Sequence, residues 1–140
     1  MNVQPYLNFD GRCEEALEFY KKAIGAKVDL LMRIKENPDP VPFGTMPPGT
    51  DDKIMHASFR VGDTHVMAAD GYAQGKAKFE GFSLSIDAAS EAEANRLFDA
   101  LAEGGKVQVP LAKTFFSPSF GMVADKFGVS WMVIVRQQQG

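Results

Sequence analysis

An α+β fold built from two β-α-β-β-β modules is predicted by three observations on the 140-residue chain. Two amphipathic helical stripes, each closed by glycine, stand at matching places in the two halves. Each follows one β-type run and precedes three more. The hinge sequences also echo one another: FDG, helix, then Gly25-Ala26-Lys27-Val28 in the first half, and IDA, helix, then Gly104-Gly105-Lys106-Val107 in the second. Such self-similarity is the mark of a duplicated unit. One five-element unit is too small to bury its own sheet. The expectation is therefore a single domain over 1–140, made of modules 1–70 and 79–140 that share an interior.

Residues 3–9 carry Val3, Tyr6, Leu7 and Phe9 and stop at Asp10-Gly11, which reads as a strand ending in a turn. From Cys13 to Ile24, Ala16, Leu17, Tyr20, Ala23 and Ile24 fall on one helical stripe, with Glu14, Glu15, Glu18, Lys21 and Lys22 on the other side. The early acids and late lysines suit the helix dipole, and Gly25 supplies a left-handed stop. Residues 27–34 form the next strand. Residues 36–52 hold five of the eight prolines and must be a long loop, since proline removes donors and fixes φ. IMHASFRV and THVMAAD, separated by Gly62-Asp63, predict a tight hairpin. With those two residues as the loop, Val61 pairs with Thr64, Arg60 with His65, Phe59 with Val66, Ser58 with Met67 and His56 with Ala69. One face then carries Met55, Ala57, Phe59, Val61, Val66 and Ala68, and packs on helices. The other carries His56, Ser58, Arg60, His65, Met67 and Ala69.

In the second half, Phe82, Leu84 and Ile86 alternate with Gly81, Ser83, Ser85 and Asp87 as a half-buried strand. Ser90 and Glu93 form a capping box before the stripe Ala94, Leu97, Phe98, Leu101 and Ala102, ended by Gly104-Gly105. Three strands follow, at 106–112, 115–124 and 129–135, the last two joined by Asp125 to Gly128.

Composition narrows the function. Lys+Arg 15 against Asp+Glu 18 gives a net charge of -3, which argues against a nucleic-acid partner. One cysteine, Cys13, excludes an internal disulfide, and no Cys/His cluster has zinc spacing. The opening MNVQPYLNFDG lacks a signal-peptide pattern, and no apolar run approaches a membrane span, so a cytoplasmic protein without a membrane partner is expected.

Few residues carry obvious chemistry. His56 and His65 share a face but lie about 13 Å apart along the hairpin, too far to chelate one ion together. His56, with Ser58 and a neighbouring Asp70, fits a general base or a pocket hydrogen-bond group, or else a partly buried structural histidine. His65 reads as a solvated residue beside Arg60. Cys13 stands at a helix N-terminus but reads as a small buried hydrophobe, and Glu14-Glu15 as a solvated face. Ser83 and Ser85 lack the strained G-x-S-x-G elbow of a nucleophile and read as cavity-lining or exposed groups. No G-x-G-x-x-G, phosphate loop or H-E-x-x-H is present. Phe115, Phe116, Phe120, Phe127 and Trp131 read as core or interface rather than a stacking platform.

Three segments, PYLNFDGRCEEALEFYKKAIGAKV at 5–28, IMHASFRVGDTHVMAAD at 54–70 and FGMVADKFGVSWMV at 120–133, resemble the PhnB-like branch of the glyoxalase/bleomycin-resistance/extradiol-dioxygenase group, the vicinal oxygen chelate superfamily. The resemblance implies paired β-α-β-β-β modules forming curved mixed sheets around a shared cavity, commonly in a homodimer. Metal-dependent members place one ligand on each of four strands. By this resemblance those positions are Pro5, Met67, Gly81 and Met132, none of which can hold a hard or borderline cation. No cofactor is therefore expected, and metal-assisted chemistry is disfavoured. The branch is also often labelled with a ubiquinone-biosynthesis methyltransferase, yet no glycine-rich strand-to-helix loop or parallel α/β pattern for S-adenosylmethionine is visible.

Two functions remain. One is a metal-independent binding protein that takes a small, partly aromatic molecule against Ser58, Arg60, Met67, Ser83, Ser85 and Met132, with the loop 36–52 as lid or dimer arm. The other is an enzyme of the same fold with His56 as base, Arg60 as anion anchor and Ser58, Ser83 and Ser85 as orienting groups. A fold kept for dimerisation or regulation is the bland third reading.

Overall fold

The computed structural model describes residues 1–38 and 46–136. Residues 39–45, the centre of the predicted proline-rich loop, lie outside them. The chain divides into two compact units, Met1–Ala77 and Lys78–Gly140. Each holds a four-stranded mixed sheet and one long helix, an α+β arrangement.

In the first unit the elements are β1 (Tyr6–Asn8), α1 (Cys13–Ile24), β2 (Lys27–Arg33), β3 (Ile54–Val61) and β4 (Thr64–Ala69), in sheet order β1-β4-β3-β2. β1 runs parallel to β4 and the other pairs are antiparallel. The hairpin register is as derived from Val61↔Thr64 to Ser58↔Met67. α1 covers one face: Ala16, Leu17, Tyr20, Ala23 and Ile24 are buried, together with Leu7, Ala57, Phe59, Val66 and Ala68 from the sheet. The Tyr20 ring stacks on Phe59 with centroids 5.9 Å apart. Gly25 ends α1 at φ 69°, and its N–H donates to the Tyr20 carbonyl. At the start of β3 the burial pattern departs from prediction: Ile54 is buried and Met55 only half-buried, because the pairing with β2 shifts between Met32 and Arg33.

β1 is shorter than the predicted 3–9. Tyr6, Leu7 and Asn8 stand opposite Met67, Ala68 and Ala69 of β4, with flanking backbone bonds from Met67 to the Pro5 carbonyl and from Phe9 to the Ala69 carbonyl, and Val3 projects into solvent. Beyond β2 a 3-10 turn, Ile34–Glu36, leads into the loop. Arg33 fastens its far end, donating from Nη1 to the Asp52 carbonyl at 2.7 Å and from Nη2 to the Glu14 carboxylate at 2.5 Å. The Arg33 hydrogen bond holds the Glu14 carboxyl below its ordinary pKa.

The N-terminus of α1 is capped from a distance. Arg12, at the capping position, offers no side-chain cap. Instead the carboxylate of Asp70, just past β4, accepts N–H bonds from Gly11 at 2.9 Å, Cys13 at 2.7 Å and Ile54 at 2.8 Å. Asp10 likewise accepts from Gln74 and Lys76, pinning the segment after β4.

The second unit repeats the order with β5 (Leu84–Ala88), α2 (Glu91–Ala102), β6 (Lys106–Ala112), β7 (Ser119–Ala124) and β8 (Ser130–Val135), arranged β5-β8-β7-β6 with β5 and β8 parallel. Its helix is capped locally: Ser90 Oγ accepts the Glu93 N–H at 3.1 Å, while the Glu93 carboxylate accepts from Ala89. α2 packs closely because Gly121 leaves room; a Cβ there would stand 2.8 Å from the Phe98 ring. Asp125 ties the β7–β8 connection, accepting from the Phe127 and Val129 backbones and from the Trp131 indole at 2.8 Å.

Two predicted strands change their bounds. Phe82 lies outside β5 and is exposed, and the strand continues instead to Ala88. Residues 115–118 are not strand, because Thr114 Oγ1 accepts the Ser117 N–H and Ser117 Oγ donates to the Val135 carbonyl, closing a turn. That turn sets Phe115 in solvent at 93% exposure and leaves Phe116 also exposed, so neither is core, whereas Phe127 and Trp131 are buried. Among the described residues no helix is long and apolar enough to cross a membrane.

Replacing Asp70 with Ala should leave three backbone donors, two of them buried, without their acceptor. We expect a loss of about 3–5 kcal/mol in urea unfolding followed by the single tryptophan. A loss under about 1 kcal/mol would contradict the capping role. Cys13 is fully buried, and burial followed by the Asp70 and Glu14 charges pushes its thiol upward. A thiol reagent at neutral pH should label it only upon denaturation, and rapid labelling of the folded protein would count against this packing.

Candidate functional site

The sheet face of the first unit turned away from α1 is read directly from the pairing. One row across the strands holds Tyr6, Met67, Ser58 and Leu30, since Tyr6 pairs with Met67, Met67 with Ser58 and Ser58 with Leu30. Toward the hairpin tip the next row holds His65, Arg60 and Lys27. Away from the tip, His56 stands beside Met32, and its ring stacks on Tyr6 with centroids 6.4 Å apart. Tyr6 and Leu30 are 54% and 47% exposed, an apolar allotment that a solvated face does not need. Burial, with a contribution from Cys13, raises the Tyr6 phenol above its ordinary pKa, so it stays a protonated donor at neutral pH.

The pairing brings His56, Ser58, Arg60 and Met67 onto one face of the first sheet. One expectation about their neighbours changes. Asp70 does not orient His56, because its oxygens are committed to the amides of Gly11, Cys13 and Ile54. His65 is exposed beside Arg60, as expected. Arg60 Nε donates to Asp29 at 2.9 Å, and His65 Nδ1 lies 4.0 Å from the same carboxylate. Asp29 reaches both because a register shift between Val28 and Leu30 makes it the bulged residue of β2.

The corresponding face of the second unit holds the row Ser85, Met132, Met122 and Val109. Ser83 precedes β5, and its hydroxyl donates to Ser130 Oγ at 2.8 Å, which in turn donates to Gln108 at 3.0 Å. Phe120 and Ile134 pair on the same face. Sequence reasoning missed Tyr6, Leu30, Met122 and Val109. Only the pairing partners reveal them, although the alternation along 119–124 was a usable signal.

Of the four positions inferred from the resemblance, Met67 and Met132 lie on these faces, opposite Tyr6 and Ser85, while Pro5 and Gly81 precede β1 and β5. In the first unit Tyr6 and Met67 offer a protonated phenol and a thioether, and in the second Ser85 and Met132 offer a hydroxyl and a thioether, each a poor pair for a hard or borderline divalent cation. Among the described residues no three His, Cys, Asp or Glu side chains are grouped to hold a metal ion. Each unit also has a surface cleft elsewhere. One of about 380 Å³ at the α1 N-terminus is lined by Arg12, Glu15, Asp52 and Lys53, and one of about 420 Å³ by Lys113, Thr114, Pro118 and Arg136. Of the residues that the sequence singled out for a site, Asp70 alone borders one of them, the cleft at the α1 N-terminus.

With this geometry in hand, the chain can be compared with known proteins. A family model described as 3-demethylubiquinone-9 3-methyltransferase matches residues 1–134. Protein PA1353 from Pseudomonas aeruginosa, known as a crystal structure, is 42% identical, with 99% of each chain covered and a TM-score of 0.84. A putative 3-demethylubiquinone-9 3-methyltransferase, PhnB protein, from Bacillus cereus is 29% identical over 96% of this chain and 99% of its own, with a TM-score of 0.80. At the level of fold alone, the glyoxylase/bleomycin resistance protein/dioxygenase domain from Frankia sp. EAN1pec is similar at a TM-score of 0.67 and 14% identity, covering 100% of this chain and 95% of that one. Two duplicated mixed sheets give the chain a fold like that of glyoxalase/bleomycin-resistance domains, and a family match across nearly the whole sequence leads to one assignment: the chain belongs to the PhnB-like 3-demethylubiquinone-9 3-methyltransferase family.

Proposed function

We propose that the chain is a metal-independent small-molecule-binding protein that holds its ligand against the helix-free faces of its sheets and works as a homodimer. The observation that carries this reading is the chemistry of the two central rows. Tyr6, Met67, Ser58 and Leu30 in one, and Ser85, Met132, Met122 and Val109 in the other, combine apolar surface with a few hydroxyls. That is the mixture of a ligand wall, where a small number of polar groups orient a molecule against apolar surface. Methionine thioethers are polarizable and adapt to varied ligand shapes. They are weak partners for the cations used in Lewis-acid catalysis. Arg60, Ser83 and Ser85 complete the proposed contact set.

The family description names a methyltransferase, and the methyl donor S-adenosylmethionine does not fit the residues present. The turn from β1 into α1 is where a strand-to-helix cofactor loop would be sought, but the Gly11 and Cys13 amides already donate to Asp70. Asp10 in that turn is held by the backbones of Gln74 and Lys76, which leaves no carboxylate for a ribose there. We derive no step through that cofactor.

The alternative is an enzyme with His56 as general base. Its support is the stacking of His56 on Tyr6 on a face shared with Ser58, and its weakness is the loss of Asp70 as an orienting carboxylate.

Elemental analysis of protein purified without chelator should find nickel, zinc, iron and manganese each well below one ion per chain; a stoichiometric ion would overturn the metal-independent reading. Met67→Asp places a carboxylate in the middle of the first row and should weaken binding of a panel of aromatic fragments by about tenfold or more while the half-buried position keeps the protein folded. Unchanged affinity removes that face from the account. His56→Ala separates the two functions, because a variant that retains affinity but loses a measurable turnover supports the enzyme.

A further inference from the structure

We infer that the first unit's face takes an aryl carboxylate, with the ring over Tyr6, Met67 and His56 and the carboxylate drawn toward Arg60. This rests on the binding reading above and adds the chemical class of the ligand. Side chains on one face of a strand recur about every 7 Å, so the row Lys27, Arg60 and His65 lies one step from the row Tyr6, Met67, Ser58 and Leu30. His56, stacked on Tyr6, extends the flat surface away from the cations. A planar apolar body therefore meets methionine and aromatic rings, and an anionic group one short tether away meets positive charge.

Lys27 and Arg60 stand side by side with fixed charges; Asp29 pairs with Arg60 through Nε, and Asp63 in the turn acts on Arg60 without an ion pair among the described residues. Arg60 spends only its Nε on Asp29, so its terminal nitrogens make no hydrogen bond with the described residues. Those nitrogens are the fork that a carboxylate accepts from. Ser58, in the first row and two residues from Arg60 along β3, offers a hydroxyl to the tether or ring substituent. Asp29 competes with any incoming anion, which gives the inference a second handle.

The test is a titration followed by backbone amide NMR shifts with phenylacetate, its neutral isostere phenylacetamide, and acetate. Phenylacetate should shift Tyr6, Met67 and Arg60 and bind about tenfold tighter than phenylacetamide, with acetate producing no saturable shift. Arg60→Gln should weaken phenylacetate by about tenfold and leave phenylacetamide within about twofold, while Asp29→Asn, by freeing Arg60, should tighten phenylacetate. The unliganded spectra of both variants report whether the fold is kept. Equal binding of acid and amide, insensitive to Arg60→Gln, overturns the carboxylate inference and leaves the face as a general apolar site. Absence of shifts with either aromatic probe also overturns it, and the binding reading itself is then judged by Met67→Asp against the wider fragment panel.

Discussion

The buried carboxylate of Asp70 is the point on which the first unit turns. At 1% exposure it would be costly to bury unless hydrogen-bonded, and it accepts three backbone N–H groups from segments that only folding brings together. Two of those donors belong to the start of α1, where the helix dipole adds to the attraction. The third opens β3. Because Asp70 directly follows β4, it clamps one end of the β3–β4 pair to the helix, and the two-residue turn at Gly62-Asp63 clamps the other. The register between the clamps cannot slip. A slip of one residue would exchange the faces, carrying Met67 and Ser58 under α1 and Ala57 and Phe59 into the open. The composition of the candidate site is thus set by a residue that is not in it.

The second unit reaches the same topology with different fasteners. Its helix is capped by the local Ser90, and its buried aspartate, Asp125, stands at the β7–β8 connection, holding Trp131 as well as two amides. Once each sheet is fastened independently, the two helix-free faces are free to diverge. His56, Ser58 and Arg60 on β3 correspond in strand order to Phe120, Met122 and Ala124 on β7. The first face can donate, accept and attract anions; the second is chiefly apolar. Met67 and Met132 occupy the same place in their sheets, opposite Tyr6 and Ser85 respectively.

What the sequence disclosed followed the range of the interactions involved. The α1 limits, the Ser90–Glu93 box and the hairpin register are set by neighbours within a few residues, and each was legible from periodicity, capping chemistry or turn length. The role of Asp70 was not, because its partners Gly11 and Cys13 are 59 and 57 residues away. The length of β1 was overestimated: its pairing begins only at Tyr6 although β4 runs back to Thr64, and Pro5, which has no N–H to give to a ladder, stands directly before it. The strand predicted from Gly81 begins only at Leu84, so Gly81, Phe82 and Ser83 lie before β5. Phe115 read as core or interface, and the Thr114–Ser117 turn, which closes before β7 and turns it outward, removes the first of these.

The account as a whole claims that the helix-free faces, and not the charged clefts beside the helices, are where this protein meets its ligand. A crystallographic screen with small aromatic fragments addresses that claim most directly. The prediction is fragment density over Tyr6, Ser58 and Met67 or over Ser85 and Met132, with the Arg12–Lys53 and Lys113–Arg136 clefts empty. Fragments found only in those clefts, with both sheet faces vacant, would contradict it.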